Sequence, residues 1–112
     1  MIEIEAVVDE SGLLRACTAS GHAGAGAAGT DIVCAAVSVL MRTAIQTLSG
    51  REGVTVRSGA PEPGHLWMET GYTAEGKGFL FAAGEFLAGG LRSVAEEFPG
   101  HCKLTIRTER RT

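Results

Sequence analysis

Two long runs of apolar residues at three- and four-residue spacing, each preceded by two shorter alternating segments, constrain this chain more than any other feature. Val33, Ala36, Val37, Leu40, Met41, Ala44 and Leu48 fall on one face of a helix that Ser49 and Gly50 end. Leu80, Ala83, Leu87, Leu91, Val94 and Phe98 define a second helix, stopped by Pro99 and Gly100. Ile2, Ile4, Ala6 and Val8 alternate with mostly acidic neighbours, the pattern of a half-buried strand. The turn-forming stretch from Asp9 to Gly12 predicts a hairpin, with Leu13 to Ser20 as its returning strand. Val54 to Arg57 and Leu66 to Thr70 predict a second hairpin across the turn-rich stretch from Gly59 to Gly64. Cys102, Leu104 and Ile106 alternate as a closing strand. The order ββαββαβ predicts an α+β fold: a two-layer sandwich with a mainly antiparallel sheet and two helices. Neither a linker nor a convincing repeat interrupts the chain, and 112 residues suit a single domain spanning 1–112. Gly84, Gly89 and Gly90 leave close packing across an interface, tolerated helix glycines and a break near Gly89 all open.

Charge and composition narrow the function. A formal net charge of −3 argues against direct nucleic-acid binding, which needs a cationic footprint for phosphates. Arg107, Arg110 and Arg111 read as a solvated tail. The longest apolar stretch, from Ile32 to Met41, is interrupted by Ser38 and is half a membrane span, so no membrane partner is expected. The opening residues show neither a basic nor an apolar leader region, which points to a cytoplasmic protein. Cys17, Cys34 and Cys102 cannot all pair, and none stand in C-x-x-C spacing. His22, His65 and His101 lack the i, i+4 spacing of a helical metal site, so no metal and no cofactor are expected. Cys17 and Cys102 read as buried strand residues, and His65 and His101, after proline-containing turns, as exposed ones.

Sixteen glycines include the four at Gly21, Gly24, Gly26 and Gly29. Gly24 to Gly29 spells G-x-G-x-x-G between a predicted strand and a predicted helix, the pattern of a dinucleotide-binding loop. Its surroundings contradict that reading. The preceding strand is the second arm of a hairpin, Asp31 would repel phosphates, and the chain is too short for two mononucleotide-binding halves.

The residues that bracket the run suggest other chemistry. Cys34 falls in the first turn of a helix starting near Thr30 or Asp31, where the helix N-terminus favours a thiolate. His22 precedes the run, and the intervening segment is long enough to fold back and bring imidazole beside sulfur. Such a pair would join a nucleophile to its general base. Asp31 and Ser38 stand at i−3 and i+4 from Cys34, on the same helix face. Each residue also has a plainer reading. Cys34 suits a small core position, His22 a surface or capping one, Asp31 an N-cap, and Ser38 a bond back to a helix carbonyl.

At Gly21-His22-Ala23, Gly29, and Asp31 through Cys34 to Ala35, the chain resembles the ribosomal-processing cysteine proteases, the Prp family. The similarity continues through the acidic first strand, the helix after the cysteine, and Gly90-Leu91 to Phe98-Pro99. The resemblance implies a homodimeric bacterial endopeptidase of α+β fold. Its implied substrate is the N-terminal extension of large-subunit ribosomal protein twenty-seven, cut after an apolar, aromatic-ending segment. Carried over by position, Cys34 is the nucleophile, His22 the base, and Asp31 and Ser38 supporting residues. The resemblance also implies a mobile loop between the two catalytic residues: Ala23, Gly24, Ala25, Gly26, Ala27, Ala28 and Gly29. Family members usually carry bulky or charged residues in that loop, and this chain has only alanine and glycine there. Two other classes stand beside the protease. One is a non-catalytic ribosome-associated binding protein, drawn electrostatically to a basic tail. The other is a redox-sensing thiol protein built on Cys34.

Overall fold

Alternation in the N-terminal segment becomes β1 (Ile2–Val8), which pairs antiparallel with β2 (Leu14–Ser20). α1 (Ala28–Leu48), β3 (Val54–Glu62), β4 (His65–Tyr72), α2 (Lys77–Glu97) and β5 (Cys102–Thr108) follow. The computed structural model describes residues 1–21 and 28–110, and the side chains of all of these except 28–31. His22, Ala23, Gly24, Ala25, Gly26 and Ala27 therefore lie outside the described residues, as does the side chain of Asp31.

The strands form one five-stranded sheet in the order β3-β4-β2-β1-β5. Three of the pairings are antiparallel, and β1 with β5 is parallel. A parallel pair cannot be closed by a tight turn. Here the chain reaches β5 only after α2. This is the expected α+β sandwich, and β2 leads out of a hairpin rather than out of a parallel βαβ unit. The dinucleotide-loop reading fails on that topology as well.

Register explains the core. Ile4 stands opposite Ala19 and Ala19 opposite Leu66, while Ala6 faces Cys17 and Cys17 faces Met68. Alternation then puts all of these on one face of the sheet. Val33, Val37, Met41 and Leu48 of α1 and Leu80, Leu87 and Leu91 of α2 bury that face. Cys17 and Cys102 are buried in their strands, as expected.

The boundaries differ from expectation in two places. First, β3 and β4 run on to Glu62 and from His65, so the connection shrinks to Pro63 and Gly64. Gly64 takes φ 80° there, a left-handed conformation that suits glycine. Pro61 survives inside β3 because β3 is an edge strand and Pro needs no ladder partner on the open side. A register shift between Gly59 and Glu62 takes up the irregularity. Second, α1 begins at Ala28, so Ala28 and Gly29 belong to the helix and Asp31 is its fourth residue rather than its N-cap. The second helix, α2, is continuous through Gly89, so the open alternative of a break there falls away. Gly84 and Gly90 mark close packing inside the molecule, because a Cβ on Gly84 would lie 3.0 Å from Leu14 Cβ and one on Gly90 2.8 Å from Leu40 Cδ2.

The β1–β2 turn is locked by Asp9. One of its carboxylate oxygens accepts the backbone N–H groups of Ser11 (2.9 Å) and Leu13 (3.0 Å). The other accepts the Tyr72 hydroxyl at 2.6 Å, with Arg15 at 3.9 Å. This cluster closes the end of the hairpin opposite to Ile2 and Ser20.

Candidate active site

A cleft of about 410 Å³ opens at the Ile2–Ser20 end of the sheet, under one flank of α1. The geometry of α1 dictates what faces it. Val33, Val37 and Met41 are buried against the sheet. The residue after each is rotated by about 100° around the axis. Cys34, Ser38 and Arg42 therefore form a stripe one step round from the buried face, and all three line the cleft. Ile2, Ala19, Val37 and Leu66 supply an apolar floor. Ser20 and Gly21 bound it at the end of β2, and Glu62 and His65 at the end of the β3–β4 hairpin.

Cys34 is the exposed thiol of the three. Burial pushes the Cys17 thiol up to about 12 and also raises that of Cys102, so both stay protonated at neutral pH. The core reading of Cys34 is thereby set aside: its position one step round the helix takes it out of the packed layer. The earlier helix start also moves it. Cys34 is the seventh residue of α1, in the second turn rather than the first.

Ser38 is half-buried on the cleft wall. The expected bond to a helix carbonyl is absent there among the described residues, whereas Ser49 makes one to Ile45 at 2.6 Å. Gly21, the residue before His22, lines the cleft and donates its N–H to the Gly64 carbonyl at 2.9 Å. It has φ 109°, and a Cβ at this position would strike the Met1 carbonyl oxygen, so only glycine fits. Thus the chain is pinned at the cleft rim immediately before His22.

The family model described as cysteine protease Prp matches residues 1–103. The chain belongs to this cysteine protease family. The protease is also similar to solved structures over nearly its full length. SMU.848 from Streptococcus mutans is 28% identical with TM-score 0.82, covering 97% of this chain and 96% of that one. The ribosomal processing protease Prp of S. aureus, solved with a substrate peptide, is 20% identical with TM-score 0.79, covering 95% and 99%. The same S. aureus protein with a covalently linked product peptide gives 20% and 0.78, again covering 95% and 99%. At that identity the two S. aureus likenesses are of fold. No curated protein matches the chain significantly.

Three cleft residues of the protease were missed in the sequence. His65 reads as an exposed turn residue, yet it is half-buried at the start of β4 and lines the cleft. By strand alternation Leu66 faces the helices and His65 the other side, so His65 stands at the lip. Glu62 was hidden in the same assumed turn. Arg42 carried no signal beyond its place eight positions after Cys34. His101 is exposed, as expected. Among the described residues no three His, Cys, Asp or Glu side chains converge as a metal ion would require. No helix among them is long and apolar enough to cross a membrane.

Proposed function

We propose that this protease is a bacterial, cytoplasmic endopeptidase that removes the N-terminal extension of large-subunit ribosomal protein twenty-seven, with Cys34 as nucleophile and His22 as base. The observation that carries the reading is Cys34 itself, exposed beside an apolar-floored cleft whose rim ends one residue before His22. Family membership supports it. So does the S. aureus protease of the same fold, whose structures hold a substrate peptide and a covalently linked product peptide.

In this mechanism His22 takes the Cys34 thiol proton, and the sulfur attacks the scissile carbonyl carbon. Side chains on a helix lean toward its N-terminus, so the sulfur lies over the preceding turn. There the first four amides of α1 have no partner within the helix, and they are the oxyanion donors. His22 then protonates the leaving amine as the C–N bond breaks, leaving a thioester on Cys34. Water, deprotonated by His22, attacks the thioester and frees the acid and the thiol. Asp31 and Ser38 are supporting residues, Asp31 through the orientation of His22 and Ser38 through a hydroxyl offered to the cleft. The apolar floor suits the apolar segment that precedes the cut. The segment from Ala23 to Ala27 is the loop between the two catalytic residues, since Ala28 and Gly29 belong to α1. The active form is a homodimer, supported by an apolar groove on the outer face of the helices.

The test mixes the recombinant protease with its partner ribosomal protein and follows both masses. Release of the extension is the expected result. An intact extension after prolonged incubation would sink the reading in favour of a binding protein, and reversible Cys34 oxidation without cleavage would favour a sensor.

A further inference from the structure

Arg42 is the arginine that lines the cleft beside Cys34. Arg15, Arg57 and Arg107 each contact a carboxylate, and Arg51 lies 3.7 Å over the Phe79 ring. Arg42 lines the cleft, is exposed, and has neither an ion pair nor a ring contact among the described residues. Glu62 lines the opposite wall of the same cleft, yet the two charges do not pair. A cation and an anion thus face an apolar floor from two sides, neither with a side-chain partner among the described residues.

Position along α1 turns this into a prediction about substrate. Arg42 is two turns beyond Cys34 on one stripe, about 12 Å along the axis. An extended peptide advances about 3.3 Å per residue. A peptide bonded at Cys34 and running along the stripe therefore presents a side chain to Arg42 about four residues from the scissile bond. The planar guanidinium fork matches a carboxylate best and a carboxamide oxygen less well, and it repels an ammonium.

We infer that Arg42 is a specificity-determining residue, selecting peptides that carry an acceptor side chain, carboxylate before carboxamide, about four residues from the cleaved bond. The inference rests on the proposed protease reading, because it counts distance from Cys34 as the point of attack.

The experiment uses a peptide series in which one Glu, Gln or Lys is stepped through each position on both sides of the cut. Binding is measured by fluorescence anisotropy to the full-length Cys34→Ser protein and to the same protein with Arg42→Glu. Cleavage of the series is measured with the parent protease and with Arg42→Glu. Comparing Glu with Lys within each protein cancels any general loss of activity or affinity. The expected result is a preference for Glu over Gln over Lys at one position only. A factor of about two to five between Glu and Lys is expected for an exposed ion pair. It should weaken with added salt and reverse in Arg42→Glu. An unchanged profile in Arg42→Glu, or no measurable binding of any peptide, overturns the inference. Cleavage without an Arg42-dependent preference would refute Arg42 and leave the protease reading standing. A preference in binding with no cleavage would do the opposite.

Discussion

Water reaches one of the three thiols, and that difference is set by a rotation of about 100° along α1. In the stretch from Val33 to Val37 every residue is small or apolar, so spacing alone left Cys34 open as a core residue. The helix resolves this by burying Val33 and Val37 and turning Cys34 onto the flank. The chemistry of alkylation should follow the same division. Native protein treated with iodoacetamide is expected to gain a single adduct, at Cys34, with Cys17 and Cys102 reacting only after denaturation. Mass spectrometry of digested samples reads this directly, and modification of Cys17 in folded protein would contradict its burial. Cys34→Ser and His22→Ala are each expected to abolish cleavage while leaving the unfolding transition unchanged. Normal turnover by either variant would remove the assigned dyad. His65, Glu62 and Arg42 were not legible, for a physical reason. Their neighbourhood is made by the β3–β4 hairpin approaching α1, a contact between remote segments that no local pattern encodes.

Among the elements, the two helices were the most legible, because each repeats its apolar spacing over many turns. The β3–β4 hairpin was the least, because Gly59, Pro61 and Pro63 carry turn chemistry that an edge strand tolerates. The start of α1 was misplaced because Ala28 and Gly29 offer no capping signal of their own. The continuity of α2 through its glycines leads to a paired stability test. Nothing lies within 4 Å of a Cβ at Gly89, so Gly89→Ala should stabilise the fold by about 0.5–1 kcal/mol through helix propensity. Gly84→Ala should gain less or lose stability, since Leu14 Cβ must move from 3.0 Å. Urea unfolding of both variants gives the comparison, and equal gains would refute it. The β1–β2 turn supplies a pH test. Burial alone would raise the Asp9 carboxyl, but the Tyr72 hydroxyl, the Leu13 and Ser11 amides and the Arg15 charge together hold it below 3.8. A lowered folded value means that ionised Asp9 stabilises the protein above the ordinary carboxylate range and that this is lost as pH falls through the folded value. Asp9→Asn is therefore expected to cost about 1–3 kcal/mol near neutral pH, by leaving buried donors mismatched. The gap to wild type should narrow between neutral pH and a pH below the folded value of the Asp9 carboxyl, where wild type loses its own contribution. A gap of the same size at both pH values would refute the assignment.

The sheet of the whole molecule has one face covered by helices, and the helix layer has an outer face of its own. There α1 and α2 leave a groove of about 390 Å³ lined by Val39, Leu40, Ala44, Phe79, Ala83 and Phe86. Phe86 is 78% exposed and Val39 58%, a large apolar display for a small chain with a formal charge of −3. An isologous pair would bury the same patch of both copies, each Phe86 packing against the helices of its partner. Phe86→Glu should then abolish self-association by placing a charge in that desolvated contact. Phe86 is 78% exposed in the single chain, so the monomer loses little packing in this variant and should still unfold cooperatively. Sedimentation velocity over a range of concentrations distinguishes the two forms. A wild-type dimer and a monomeric Phe86→Glu are expected. A Phe86→Glu protein that remains dimeric would move the interface elsewhere, and a wild type that stays monomeric at high concentration would refute the dimer. Peptide cleavage by the monomeric variant then measures what the second copy adds. The cleft under α1 is built from residues of one chain, and the groove opens on the other side of that helix. Activity that survives in the monomer would make the dimer a support for α1 rather than a part of the site.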